Sequence, residues 1–302
     1  MRALLGLLAA LALAATGCAA TGASPPRVVV TTDILGDVTK AVVGGQAEVT
    51  VLMRPDSDPH SFGVSAREAA RIETADLIVH NGLGLEEGVL RNVEAARRAG
   101  VPALAVAEGV DPIAFTADET AGQPDPHFWT DPARMAKAVD LIAGQVVAHV
   151  DGVDAAAVRA SAAAYRQQVE RLDAWVGQQV ATLPADARRL VTNHHVFGYF
   201  ARRYGFQVVG AVIPSGTTLA SPSASDLKSL SDAIRRTGVK AVFADSAQPD
   251  RLAQVLASEA GVDVKVVPLF SESLSRRSPG AATYLEMVRS NTRAIVDGLD
   301  GR

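Results

Sequence analysis

Short apolar runs alternate along the chain with segments whose apolar positions recur every three or four residues, from residue 27 almost to the C-terminus. In the first half this pattern predicts strands over residues 27–32, 48–53, 76–81 and 101–107, and helices over 34–43, 66–74 and 86–99. The second half repeats it, with strands over 188–193, 207–212, 239–245 and 262–269 and helices over 197–204, 224–237, 251–260 and 281–299. The strand runs are near-continuously apolar, as strands buried on both faces of a parallel sheet require. The expected fold class is α/β: two lobes, each a mostly parallel four-stranded sheet flanked by helices.

One segment breaks the alternation. Val158, Ala162, Tyr165, Val169, Leu172, Val176, Val180 and Leu183 recur at steps of four and three, drawing one apolar stripe between an N-cap residue, Asp154, and Pro184. The stripe predicts a single backbone helix over 154–183, about 45 Å long, joining an N-terminal lobe (27–153) to a C-terminal lobe (184–302). A coiled-coil seam is the rival reading. The stripe is Ala-rich and narrow and leads directly into the lobes at both ends, so an intramolecular strut is preferred and a monomer expected. Such a strut limits hinging.

Residues 1–17 read as a signal peptide, in which Arg2 precedes an apolar run over 3–15 that is shorter than the roughly 20 residues a membrane-spanning helix needs. Ala15-Thr16-Gly17-Cys18 resembles a lipobox, which makes Cys18 the lipidation site and 18–26 a lipidated tether. Ordinary secretory cleavage, leaving a soluble periplasmic protein, is the alternative. Either way the working chain is extracytoplasmic, and its single cysteine forms no internal disulfide. With 29 Lys plus Arg against 33 Asp plus Glu and no basic stripe, nucleic acid is excluded as a partner. Aromatic residues make up only 5%, which argues against base-stacking platforms and aromatic-walled sugar sites. A small or ionic ligand is indicated.

The chain has six histidines, and three follow predicted strands at comparable places. His60 follows the second strand, His127 lies in the loop after the fourth, and His194 closes the first strand of the second lobe. Ligands of open parallel sheets bind outside the carboxyl ends of the strands, where loops of two facing lobes converge. Any one of these histidines could equally be a hydrogen-bonded loop residue, and the Asp-Pro pairs before His60 and His127 could be turn chemistry alone. Glu272, after the last strand, supplies a carboxylate from the second lobe. Three imidazoles and one carboxylate in a tetrahedron suit Zn²⁺. Asp226 and Asp245 are alternative fourth ligands. His195 competes with its neighbour, because adjacent residues at a strand end point in opposite directions. His80 reads as a supporting or structural residue and His149 as a packed or surface one.

These residues resemble the zinc and manganese solute-binding proteins of bacterial metal ABC transporters, over nearly the whole chain after the leader. Asp58-Pro59-His60 is similar to that family's first ligand motif and Pro126-His127-Phe128-Trp129-Thr130-Asp131-Pro132 to its second. His194-His195-Val196-Phe197-Gly198-Tyr199-Phe200 is similar to the third, which assigns the ligand role to His194; manganese members commonly have Glu there. Asn81-Gly82-Leu83-Gly84-Leu85-Glu86 and Tyr284-Leu285-Glu286-Met287 with Asn291 also resemble family segments. The resemblance implies two α/β lobes joined by a long helix. It departs at Glu272, where the family usually has Asp, and at Asp245, where it often has Glu. It departs again at 116–125, which is short and carries Asp118, Glu119 and Asp125 where zinc members often have a long His-rich loop.

The resulting expectation is a lipid-anchored, non-catalytic protein that captures Zn²⁺ between its lobes and delivers it to a cognate ABC permease. A manganese-specific protein of the same type is the first alternative. A zinc hydrolase would need an open fourth metal position and lacks an HExxH pair. A metal-chelate binder would depend little on His60 or His127.

Overall fold

A computed structural model describes residues 25–117, 120–259, 264–276 and 280–300. The signal peptide, Cys18, Asp118 and Glu119 lie outside the described residues. The first sheet comprises β1 (Arg27–Val30), β2 (Glu48–Val51), β3 (Leu77–His80) and β4 (Ala103–Ala105), in the order β2-β1-β3-β4 with every pairing parallel. The second comprises β5 (Arg189–Thr192), β6 (Gln207–Ala211), β7 (Ala241–Asp245) and β8 (Lys265–Leu269), in the equivalent order β6-β5-β7-β8, again all parallel. The expected α/β class and twin four-stranded sheets are therefore present. Val28 to Val30 and the whole of β7 are buried, which is why these runs carry no polar alternation.

Helices α1 (Asp33–Val43), α2 (Ala66–Glu73) and α3 (Leu90–Arg98) belong to the first lobe, and α6 (Gly198–Tyr204), α7 (Ala224–Thr237), α8 (Arg251–Glu259) and α9 (Tyr284–Asp300) to the second half of the chain. Between them lie α4 (Pro132–His149) and α5 (Ala155–Val180). The expected helix over 86–99 starts later, at Leu90, because the Glu86 carboxylate turns back to accept from Asn81 N, Gly82 N and Thr31 Oγ1. A buried acceptor engaged in this way holds residues 81–86 in a turn.

The strut helix α5 runs for 26 residues, roughly 39 Å, from its N-cap Asp154. The seven stripe positions within it are buried, and α5 packs against α4, α9 and α1. Its apolar face is thus covered within the chain. The largest hydrophobic cluster joins Val28, Val38 and Leu77 of the first lobe to Val169 and Leu172 of α5 and to Leu190, Phe243 and Ile295 of the second half. Smaller clusters lie beneath α2 and α3 on one sheet and beneath α7 and α8 on the other. A wide hinge motion would have to tear this shared core, exposing apolar surface at roughly 25 cal/mol per Å². The lobes can shift by small tilts and by loop movement. They cannot swing freely.

Two glycines permit close approaches that matter to the site. A Cβ on Gly36 of α1 would meet Val51 Cγ2 at 2.4 Å, so Gly36 sets α1 close against the end of β2. A Cβ on Gly198, the first residue of α6, would meet Asp125 Oδ2 at 2.8 Å, so Gly198 leaves room for the loop that carries His127.

Candidate metal centre

The segments after β2, β4, β5 and β8 converge between the sheets, each delivering one side chain: His60, His127, His194 and Glu272. All four are buried, with relative exposures of 2%, 0%, 0% and 2%. His60 Nε2 lies 3.2 Å from Glu272 Oε2, and His127 Nε2 and His194 Nε2 each lie 3.3 Å from Glu272 Oε1. His60 Nε2 and His127 Nε2 are 3.4 Å apart, and one donor atom from each of the four residues lies within 4.8 Å of the others. In a regular tetrahedron the edge is about 1.6 times the centre-to-corner distance. The four separations, 3.2–3.4 Å, are those of donors each about 2.0 Å from a shared ion, the length of zinc–nitrogen and zinc–oxygen bonds, with the two oxygens of Glu272 dividing between His60 and the other two rings.

The hydrogen-bond inventory points the same way. Both oxygens of Glu272 and both ring nitrogens of His194 are buried with no hydrogen-bond partner, since the approaches between these side chains lack the alignment of hydrogen bonds. Buried polar atoms without partners are costly, and a cation shared by the four residues would satisfy those that face the cluster.

Two short Asp-Pro-His turns aim the first two rings. Asp58 Oδ1 accepts from His60 N at 2.9 Å, and Asp125 Oδ1 accepts from His127 N, also at 2.9 Å. Asp125 Oδ1 additionally takes His127 Nδ1 at 2.8 Å, which fixes the ring so that Nε2 faces the cluster. Tyr199 of α6 donates to the Asp125 carbonyl at 2.7 Å, and Asn81 Nδ2 to the Pro126 carbonyl at 3.0 Å. Trp129, edge-on to His127 at 5.2 Å, donates its indole N–H to the Ser271 carbonyl beside Glu272.

The charge states follow from this packing. Burial disfavours a charged His127, but Asp125 and Glu272 outweigh it and raise the ring to about 9. Burial pushes His194 down, with Glu272 opposing. For Glu272 burial favours the neutral acid, yet His194, His60 and His127 together hold the carboxyl well below its ordinary range. The cluster keeps an ionised carboxylate facing three imidazoles, the electrostatics a divalent cation requires.

Neither alternative carboxylate joins the cluster. Asp226 is half-buried on the first turn of α7, where it forms a capping box with Ser223; its carboxylate is engaged there and lies outside the cluster of four. Asp245 is buried at the end of β7, but its carboxylate accepts from Ser271 Oγ and Ala247 N; burial, and next the Glu272 charge, raise it to about 7. It supports the neighbouring loop and stands outside the four. His195 is half-buried, its N–H donating to Ser215 O, and it lines an adjacent cavity of about 450 Å³ with Phe115 and Arg202. His80 is half-buried at the end of β3 and His149 is exposed on the last turn of α4.

The sequence reading gave Asp125 a turn role in its Asp-Pro pair, and none to Trp129, Asp33 or Ser273. Asp125 carried a signal, the repeated Asp-Pro-His. Trp129 stood in a motif already noted. Nothing local marked Asp33, whose partners are some 240 positions away.

A receptor built this way can grip a bare cation between lobes that tilt but do not swing, which is the class of substrate-binding proteins that serve metal ABC transporters. Residues 28–298 match the family described as the zinc-uptake complex component A, periplasmic, and the chain belongs to that family. It is accordingly the metal-binding component of an ABC transporter. The zinc-binding protein TroA of Treponema pallidum is 31% identical over 278 residues, covering 91% of this chain and 89% of TroA. The manganese-binding lipoprotein MntA of Halalkalibacterium halodurans is 29% identical over 295 residues, covering 96% and 95%. Among solved structures, the periplasmic zinc-binding protein TroA superposes with a TM-score of 0.83 at 30% identity, covering 91% of this chain and 99% of that one. A manganese-bound periplasmic metal-binding protein from Candidatus Liberibacter asiaticus gives 0.79 at 26%, covering 91% and 99%.

Proposed function

We propose that this protein captures Zn²⁺ outside the cytoplasmic membrane through His60, His127, His194 and Glu272 and passes it to a cognate ABC permease. The observation that carries the reading is the buried cluster of three imidazoles and one carboxylate whose donor separations of 3.2–3.4 Å suit a shared ion at zinc-length bonds. The zinc is cargo, and the protein performs no catalysis on it. Burial of all four side chains supports this reading over a hydrolase or a chelate binder, both of which need the metal accessible to a larger molecule. Cys18 carries the lipid that keeps the chain at the membrane, a reading supported by relatives named as lipoproteins. The chain works as a monomer, since the α5 stripe is spent on α4, α9 and α1 rather than left for a second copy.

Manganese is the second reading, favoured by one feature of the site. Glu272 turns Oε2 toward His60 and Oε1 toward His127 and His194, so a chelating carboxylate could raise the oxygen count. Competition of Zn²⁺ and Mn²⁺ against a chromophoric chelator, using protein stripped of metal, decides between them. Tight 1:1 zinc binding with manganese weaker by orders of magnitude is expected. The reverse order overturns the zinc assignment, and binding of neither ion overturns the metal-capture reading.

A further inference from the structure

Glu272 follows the last strand of the second sheet, yet its loop is fastened largely to the first lobe. On its N-terminal side, Trp129 Nε1 donates to the Ser271 carbonyl at 2.8 Å. On its C-terminal side, Asp33 Oδ2 accepts from both Ser273 Oγ at 2.7 Å and Leu274 N at 2.9 Å, while Asp56 N donates to the Leu274 carbonyl at 2.9 Å. Trp129, Asp33 and Asp56 all belong to the first half of the chain, and Asp33, Ser273 and Leu274 are buried. The loop also keeps ties to its own lobe, through Ser271 Oγ to Asp245 and the paired bonds between Phe270 and Asn291. Those ties lie at or before Ser271, and the next one to its own half comes only at Ser275, whose N–H donates to the Ala281 carbonyl; at Ser273 and Leu274 the partners from elsewhere are Asp33, Asp56 and Ser57. His194 is placed differently, at the end of β5, with its carbonyl held by Thr192 Oγ1 and the next residue's N–H by Ser215.

We propose that Asp33 is a positioning residue for the metal site: by gripping Ser273 and Leu274 it holds Glu272 to the first lobe, so the donor set divides three to one. His60, His127 and Glu272 are then attached to the first lobe, the turns of the two histidines being bonded in addition to Thr218, Gln248 and Tyr199 of the second, and His194 is carried by the second lobe alone. The chain order, with two candidate ligands in each half, implies an even split. The hydrogen bonds make it uneven. A small tilt of the lobes that releases the bonds to Thr218, Gln248 and Tyr199 then falls mainly on the His194 bond to the ion. The inference rests on the zinc reading above and assigns to Asp33 an action exerted through Glu272.

A double-mutant cycle tests it, with Zn²⁺ affinity measured by chelator competition on the wild type, Asp33→Ala, Glu272→Ala and the pair. Residues that orient a metal ligand typically cost about 10–100-fold when removed, and Asp33→Ala is expected to weaken zinc binding by that amount. In the Glu272→Ala background the same change is expected to cost less than about threefold, because the side chain it positions is gone. In a His194→Ala background the full cost should return. Exchange of the Leu274 amide in metal-free protein should also be faster in Asp33→Ala, a readout independent of metal. Ser273→Ala removes one of the two bonds without disturbing α1, and reads the same coupling should Asp33→Ala fail to fold. Equal losses with and without Glu272, or no loss in the wild-type background, overturn the proposal while leaving zinc capture standing. A wild type that binds no zinc overturns both.

Discussion

The two Asp-Pro-His turns make the same backbone bond and then part company. In each, the aspartate accepts from the N–H of the histidine two residues on, at 2.9 Å, and so fixes the direction in which the ring leaves the loop. Asp125 then turns the same oxygen to Nδ1 of its own histidine. Asp58 instead sends its second oxygen outward, accepting from Ser61 Oγ at 2.9 Å, from Thr218 Oγ1 at 2.6 Å and from Gln248 Nε2 at 3.0 Å. Thr218 and Gln248 lie in loops of the second lobe. One turn therefore tunes a ligand's basicity, and the other clasps the lobes. Identical tripeptides acquire different tasks because only one aspartate sits beside its own ring.

Several outcomes would break or sharpen this comparison. His60→Ala and His127→Ala should have the largest effect and remove any difference between the turns. Each should weaken zinc by about a hundredfold to a thousandfold, a quarter share of the roughly 10–16 kcal/mol typical of four-ligand zinc sites. Chelator competition reads both, and near-wild-type affinity in either would remove that ring from the ligand set. At the next level the turns should separate. Asp125→Asn should cost about 10–100-fold by releasing Nδ1, whereas Asp58→Asn should cost only a few-fold and speed dissociation, as measured by stopped-flow transfer to a chelator.

The pH dependence should separate them as well. His127 is raised to about 9, so below that pH the metal-free ring holds a proton that an incoming cation must displace. Zinc affinity should then fall about tenfold per pH unit as pH drops below 9, with about one proton released per ion at pH 8. Asp125→Asn should lower the pH at which this dependence sets in, and Asp58→Asn should leave it in place. Calorimetry in buffers of different ionisation enthalpy counts the protons. The smallest effect is expected for Gln248→Ala, which removes one of the two cross-lobe bonds to Asp58 and should change zinc affinity by about twofold, the low end of what loss of one hydrogen bond worth about 0.5–1.5 kcal/mol predicts. An unchanged dissociation rate in this variant would mean that Asp58 does not clasp the lobes.

Much of the fold was legible because parallel strands and a long amphipathic helix write strong local patterns. The apolar runs marked β1 and β7, and the 3.6-residue stripe marked α5, since burial on both faces or along one stripe is dictated residue by residue. The start of α3 was misplaced because the turn before it depends on the Glu86 side chain returning to Asn81, a contact that periodicity does not encode. At the site, His60, His127 and His194 could be picked out by their position after strands. Asp226 was admitted as an alternative because charge alone does not reveal that a carboxylate is already engaged in a capping box.

The sequence by itself determined the twin α/β pattern, the strut, and the types of donor that meet between the sheets, because these follow from local periodicity and from where strands end. Only the tertiary structure decided how those donors are held. Which carboxylate faces the three rings depends on contacts between residues far apart in the chain. So do the clasping of the lobes by Asp58 and the tie between the Glu272 loop and Asp33. Long-range hydrogen bonds of this kind carry no periodic signature, and they exist only once both lobes have folded against the same core.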